Sequence, residues 1–350
     1  MNLSPSPAPR RVFLDVLRLI AAVQMIQGHT IDALLAPVHR TGGVFAVWSF
    51  ARGLTSVMFL LTAGLAFVLA EARGDEVRAR RRRRRALMLI AIGYVMHAPL
   101  GVLVGVPREV ALANALVVDV LQCIGVSLLA LELLSLRVKR EGARASAALA
   151  LAVLCFAAAP LSNLPVLASG PRALGNYVTT AWGSPFPLVP WAGYVLAGFG
   201  LGQLALGGAR DRAWVLGAAS LACGLSSLVA EWIAPGLPAA VSPSYCLLKL
   251  ACVLALATAL MRALAGARRL PVRLAQLAGE TLFLYVAHVV ILYADGVGLA
   301  HRLGRAHSPW LAIGIALVLL VGCAAAALAA PWARRSLRRA ARGGTRGATP

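Results

Sequence analysis

Apolar stretches of about 20 residues recur ten times along this 350-residue chain, each long enough to cross ~30 Å of hydrocarbon as a helix. Lipid offers the peptide backbone no hydrogen-bond partner, so each run is read as a transmembrane helix that satisfies its own backbone. The runs lie at 12–35, 44–70, 86–106, 110–134, 145–162, 186–206, 213–235, 244–263, 276–295 and 309–331. The fold class expected is all-α, a polytopic membrane helix bundle of about ten transmembrane helices. Composition agrees: 60% of residues are hydrophobic and only 6% aromatic, and the small apolar types that allow close helix packing in lipid dominate. Three segments follow: a cytosolic N-terminal tail over 1–11, the transmembrane domain over 12–331 and a basic cytosolic C-terminal tail over 332–350. Neither tail is long enough for a separate soluble domain, and no cleavable signal peptide is evident.

The formal net charge of +21 invites a nucleic-acid partner, but the pattern excludes one. The basic residues sit in short clusters between apolar runs, as the positive-inside rule requires. With the N-terminus inside, the inside segments hold 26 of the 34 Lys and Arg residues, the largest group running from Arg73 to Arg85. The outside segments hold 5: Arg40, Arg108, Arg172, Arg302 and Arg305. Arg18, Arg52 and Lys249 fall within spans. The asymmetry places both termini in the cytosol, and the clusters suit anionic lipid headgroups. The segment 163–185 is the longest outside loop, rich in Gly, Pro, Ser and Asn, and is expected to border a binding cavity. The six cysteines all lie in apolar stretches without a CxxC pair and read as small buried hydrophobes.

Ionisable residues within spans are costly and mark function by default. The first span carries most of them. Asp15, Arg18, Ala22, Met25, His29 and Asp32 step by three and four, which puts them on one helix face. That stripe faces a polar cavity or polar partners. At ~1.5 Å per residue His29 lies about 25 Å beyond Val12, near the outer end, and about 16 Å from Arg18. Asp32, one turn further, is placed to orient the imidazole, and Asp15 is an i,i+3 partner for Arg18. Elsewhere the fourth span holds Asp119 and Gln122, and the ninth holds Glu280, Tyr285 and His288, the last two on one face. Glu231 and Lys249 are expected to pair across the seventh and eighth spans, and Arg52 to snorkel to the outer interface. The histidines His29, His97 and His288 are on separate spans with no clustered ligands in sequence, so no metal site is expected.

Several of these segments resemble a known family. LDVLR followed by GH in the first span resembles the signature of the transmembrane acyltransferase superfamily, and Arg18, ten residues, then His29 has the spacing of acyltransferase family 3. DVLQCIGVSLL (119–129), FPLVPWAGYVLAGFGLG (186–202) and GETLFLYVAHVV (279–290) are similar to segments of the heparan-alpha-glucosaminide N-acetyltransferase-like branch, and MFLLTAGLAF (58–67) resembles its second span. Leu19 stands where the first-span motif usually has Gly. The resemblance implies a multi-pass enzyme of a bacterial-type inner membrane. It would move an acyl group, acetyl foremost, from cytosolic acyl-CoA to an amino sugar or other glycan at the outer face. His29 and Asp32 would be catalytic, with His29 as general base or acyl carrier. Arg18 and Asp15 would serve the CoA end, and Asp119, Gln122, Tyr285 and His288 the acceptor. The implied partners are a small-molecule or glycan acceptor and membrane lipids, and self-association is compatible with the sequence. Competing readings are an O-acyltransferase of polysaccharide or lipid, a transporter whose charged stripe lines a path, and a non-enzymatic scaffold.

The charge pattern makes a direct prediction. In a background without native cysteines, Ser169→Cys is expected to react with an impermeant maleimide on intact cells, and Lys139→Cys only after permeabilisation. The reverse pattern would invert the topology.

Overall fold

The computed structural model describes residues 11–71, 76–207, 211–239, 241–294 and 296–343. In chain order the helices are α1 (Val12–Leu34), α2 (Gly42–Glu71), α3 (Glu76–Met96), α4 (Arg108–Ala115) and α5 (Val120–Arg137). They continue with α6 (Glu141–Ala157), α7 (Arg172–Gly175), α8 (Leu188–Leu206), α9 (Ala213–Ile233) and α10 (Pro243–Ala263). The last four are α11 (Val272–Gly279), α12 (Thr281–Tyr293), α13 (Leu299–Leu303) and α14 (Pro309–Gly343). Among the described residues 8 helical segments are long and apolar enough to span a membrane, and α11 with α12, bent by 63°, makes a ninth. The remaining expected span, at 145–162, is the 17-residue α6 followed by a 3-10 turn at Ala159–Asn163, at the short end of what crosses a bilayer. The protein is an all-α, multi-pass integral membrane protein. The N-terminal tail lies outside the described residues except for Arg11; at the other end α14 continues as helix past the apolar stretch to Gly343.

The chain divides into two compact units. The first comprises 1–45, 267–293 and 298–350, and the second 46–266 with 294–297. In the first, α1 packs against α11, α12, α13 and α14. Leu17, Ala21 and Ile26 are fully buried along α1, while Arg18, His29 and Asp32 keep partial exposure. The end of α1 is tied down by the backbone: His307 N–H donates to Leu34 O at 3.1 Å and Ala36 N–H to His307 O at 3.0 Å. Ala33, Leu34 and Ala312 close the apolar contact beneath that bridge. At the other end of α14, the Gln276 amide of α11 donates to Leu328 O at 2.7 Å. The α11–α12 bend falls at Glu280, whose backbone leaves helical geometry at φ −105°, ψ 21°.

The second unit is built on small residues. A Cβ on Gly64 would lie 2.1 Å from Val195 O, and one on Gly198 would lie 2.2 Å from Leu61 O, so α2 and α8 touch backbone to backbone. Close approach of this kind is how helices gain packing energy in lipid, where apolar side chains gain nothing by leaving the solvent. Two part-buried ion pairs knit the same unit. Arg82 meets Glu132 through two hydrogen bonds of 2.9 and 3.0 Å, and Arg144 meets Glu71 at 2.5 Å. Glu71 also accepts from the Gln203 amide at 3.4 Å.

The fourth expected span is broken. Residues 116–119 interrupt the helix between α4 and α5, which frees backbone groups at membrane depth. The loop after α7 satisfies them. Asn176, fully buried, donates to Leu116 O at 2.7 Å, and its carbonyl accepts from Ser184 Oγ at 2.7 Å. Ser184 Oγ in turn accepts from Val118 N–H at 2.8 Å. Non-helical backbone survives at this depth only when the protein supplies such partners. The expected cavity-bordering loop is thus a plug for the break in its own unit.

Backbone atoms cannot yield as a side chain can, so Gly198→Val is expected to lower stability by about 3 kcal/mol or more through overpacking. Unfolding in mixed micelles checks this; a change below about 0.5 kcal/mol would mean that α2 and α8 do not touch as described.

Candidate functional site: a paired imidazole in the first unit

His29 occupies the last turns of α1, and His288 lies in the second half of α12. His288 Nε2 and His29 Nδ1 are 3.2 Å apart, with ring centroids separated by 5.2 Å. His288 is fully buried, and its Nδ1 lies 2.8 Å from the Leu284 carbonyl one turn earlier. A carbonyl oxygen only accepts, so His288 Nδ1 carries the proton. In the neutral ring Nε2 is then the acceptor, and the hydrogen on the shared contact belongs to His29 Nδ1. With both rings neutral, the lone pair of His29 is on Nε2. The tautomer chain Leu284 O, His288, His29 therefore presents His29 Nε2 as a base.

Two tyrosines frame the pair. Tyr293 Oη donates to His29 O at 3.1 Å, and its ring stands edge-on to the imidazole with centroids 6.0 Å apart. Tyr285, buried, stands edge-on to His288 at 5.7 Å. The contact on His29 Nδ1 is made by His288. Asp32 is held by arginines: Arg40 Nη1 donates to its Oδ1 at 2.9 Å, Arg40 Nη2 donates to its backbone carbonyl, and Arg305 Nη2 lies 3.7 Å from Oδ2. Arg40 also donates to Leu35 O at 3.1 Å, so one side chain both caps α1 and neutralises its last carboxylate. At the other end of α1, Asp15 is buried and Arg18 is 30% exposed, with 3.8 Å between them.

Asp119 and Gln122 belong to the second unit. They form a capping box at the start of α5: Val120 N–H donates to Asp119 Oδ1 at 2.6 Å, and Asp119 N–H to Gln122 Oε1 at 3.1 Å. The Gln122 amide donates to Val117 O at 3.3 Å, and the absence of a side chain on Gly93 leaves room for it, since a Cβ there would lie 2.3 Å from Oε1. These bonds give the pair a structural task at the broken helix. Glu231 and Lys249 do not pair. Glu231 accepts from Ser244 Oγ at 2.5 Å and from Gly236 N–H at 3.3 Å, because the α9–α10 turn supplies nearer donors than the lysine. Lys249 instead lies over the rings of Tyr245 and Trp191.

The sequence reading missed the contact between the two histidines, as well as Arg40 and Tyr293. A signal for the first existed: a histidine in an apolar span requires a polar partner, and His288 was one of few available. Nothing local marked Arg40 or Tyr293.

Fold and site together define a polytopic membrane protein with a polarised histidine pair in its first unit. The model of the heparan-alpha-glucosaminide N-acetyltransferase catalytic domain matches residues 10–229, and the chain belongs to that family. The match includes Asp15, Arg18, His29, Asp32, Asp119 and Gln122, whereas Tyr285 and His288 lie beyond it. Among curated proteins none matches.

The tautomer assignment is testable by itself. Nitrogen-15 spectra of histidine-labelled protein are expected to show His29 protonated on Nδ1, and to revert to the more usual Nε2–H form in His288→Ala. An Nε2–H form in the unaltered protein would refute it.

Proposed function

We propose that the chain transfers an acyl group, acetyl foremost, from cytosolic acyl-CoA to an amino sugar or other glycan at the outer face, with His29 as the base. The observation that carries this reading is the tautomer chain that leaves the lone pair on His29 Nε2, in a protein of an N-acetyltransferase family. The charge asymmetry supports cytosolic termini, which puts the His29 end of α1 at the outer face.

The chemistry follows from these residues. The acceptor nitrogen attacks the thioester carbonyl carbon, and its proton passes to His29 Nε2. The carbon–sulfur bond breaks, the new amide forms, and the imidazolium returns the proton to the departing CoA sulfur. A hydroxyl acceptor would give an ester by the same steps. As charge builds on His29, its Nδ1–H bond to His288 strengthens, and the Leu284 carbonyl holds His288 ready to accept it. Asp32 adds negative charge one turn away, moderated by Arg40 and Arg305. Arg18, at the opposite end of α1, is a cation for the CoA phosphates. The Nε2 lone pair also suits direct attack on the thioester, which would give an acyl-imidazole.

His29→Ala is expected to lower acetyl transfer from acetyl-CoA by about 10²–10⁴-fold, the usual span for a general base. His288→Ala is expected to cost less and to displace the pH profile, since His29 keeps its ring but loses its fixed tautomer. Exchange of labelled CoA into acetyl-CoA without acceptor would identify the acyl-imidazole route. Wild-type transfer by His29→Ala in a folded protein would end the proposal.

A further inference from the structure

Within the second unit, α3 is among the least covered of the spanning helices, with only Ala86 and Gly93 buried along it. Those two lie on the side that meets α5: a Cβ on Gly125 would come within 2.7 Å of Ala86 O, and one on Gly93 within 2.3 Å of Gln122 Oε1. The start of the helix is basic. Counted over the whole of 71–85, Asp75 included, eight arginines stand against three acids. Two of these arginines are held by the protein. Arg82 is 16% exposed, bonds Glu132 of α5 and lies over the Phe67 ring of α2 at 5.3 Å, and Arg83 meets Glu76 at 2.7 Å.

Arg81, Arg84 and Arg85 are exposed. Arg81, Arg84, Met88, Ala91 and Val95 step by three, four, three and four, so they share one helix face, and all five are exposed. Met88 is 45% and Val95 72% exposed. A single open stripe thus passes from guanidinium to apolar side chains within about one turn, between Arg84 and Met88. Depth sharpens the point. Arg84 and Arg85 lie about 3 Å and about 4.5 Å beyond Arg82 along the helix, toward its apolar half. Arg82 already stands beside Phe67 of the α2 span, and a carboxylate meets it there. Cations set further along an open, membrane-facing stripe call for an anion as well, and a lipid headgroup is the anion at hand on that surface.

We propose that this stripe of α3 is a docking site for an anionic phospholipid, with the headgroup phosphate on Arg81, Arg84 and Arg85 and an acyl chain along Met88, Ala91 and Val95. A guanidinium offers a planar fork of donors that matches phosphate oxygens, and its aliphatic stem lets it reach back to the phosphate level while the helix continues into hydrocarbon. A soluble phosphate would use the arginines and leave the apolar half of the stripe without a role, whereas a phospholipid uses both. The headgroup is anionic because a zwitterionic one brings its own cation to a surface already rich in arginine. Two copies of the chain paired through this stripe would set arginine against arginine, so the partner is lipid.

The test reads lipid binding and is independent of acyl transfer. The full chain is placed in nanodiscs of phosphatidylcholine, or of equal parts phosphatidylcholine and phosphatidylglycerol, and thermal unfolding is followed. Phosphatidylglycerol is expected to raise Tm. A juxtamembrane arginine adds about fivefold in affinity for an anionic lipid, so Arg81→Gln/Arg84→Gln/Arg85→Gln is expected to abolish the rise. Arg84→Gln alone, read in case the triple variant fails to fold, is expected to demand a severalfold larger share of phosphatidylglycerol for the same rise. The charge-matched control Arg262→Gln/Arg268→Gln/Arg269→Gln removes three arginines from another basic cluster and is expected to keep it. Loss of the rise in both triple variants would make it an effect of net charge and overturn the site. A rise that survives removal of the α3 arginines, or no rise in the unaltered protein, overturns it as well. Inorganic phosphate added to the phosphatidylcholine discs is the last arm: an equal rise there, dependent on the same arginines, would assign the stripe to a soluble anion and overturn the lipid.

Discussion

A bilayer returns no hydrogen bonds, so the backbone groups that this chain carries into it must be satisfied within the protein, and its buried charges are held mostly by other parts of the chain. Much of the architecture follows from that constraint. The helix break at 116–119 exists because Asn176 and Ser184 fold back to meet Leu116 and Val118. Arg82 and Arg144 sit partly buried because Glu132 and Glu71 sit opposite them. The paired imidazoles obey the same rule, since each ring nitrogen at the shared contact has a complementary neighbour.

The satisfied groups fall into two kinds. Asp119 and Gln122 form a capping box and bond the backbone beside it, which stabilises a local break. His29 differs, because satisfying its Nδ1 through His288 polarises the ring and leaves a basic nitrogen on the opposite side. A buried histidine with its other nitrogen fixed by a carbonyl is thus an orienting device for the first. The bend at Glu280 belongs to the same design: it starts α12 on a new axis and lets His288 reach α1 while α11 remains bonded to α14 through Gln276.

Legibility in the sequence followed the range of the interaction. The i,i+3 contact of Asp15 with Arg18 was readable because helix geometry alone brings such residues together. The facing of Tyr285 and His288 was readable for the same reason. The partner of His29 was not, because 259 residues separate it from His288 and no local period encodes that distance. Glu231 and Lys249 show the opposite error. Opposite charges on adjacent spans suggested a pair, but Ser244 and Gly236 lay nearer to the carboxylate, and two aromatic rings took the ammonium.

By itself, then, the sequence determined the all-helical membrane architecture, the polar stripe on the first helix and the family resemblance, since hydropathy, helical period and short motifs are local properties of the chain. Tertiary structure alone decided which polar groups meet. It paired His29 with His288, turned Asp32 toward Arg40 and Arg305, and assigned Asp119 and Gln122 to a helix cap. The physical reason is that an apolar solvent makes satisfaction of a polar group obligatory without specifying the partner, and the partner is fixed only when the helices pack.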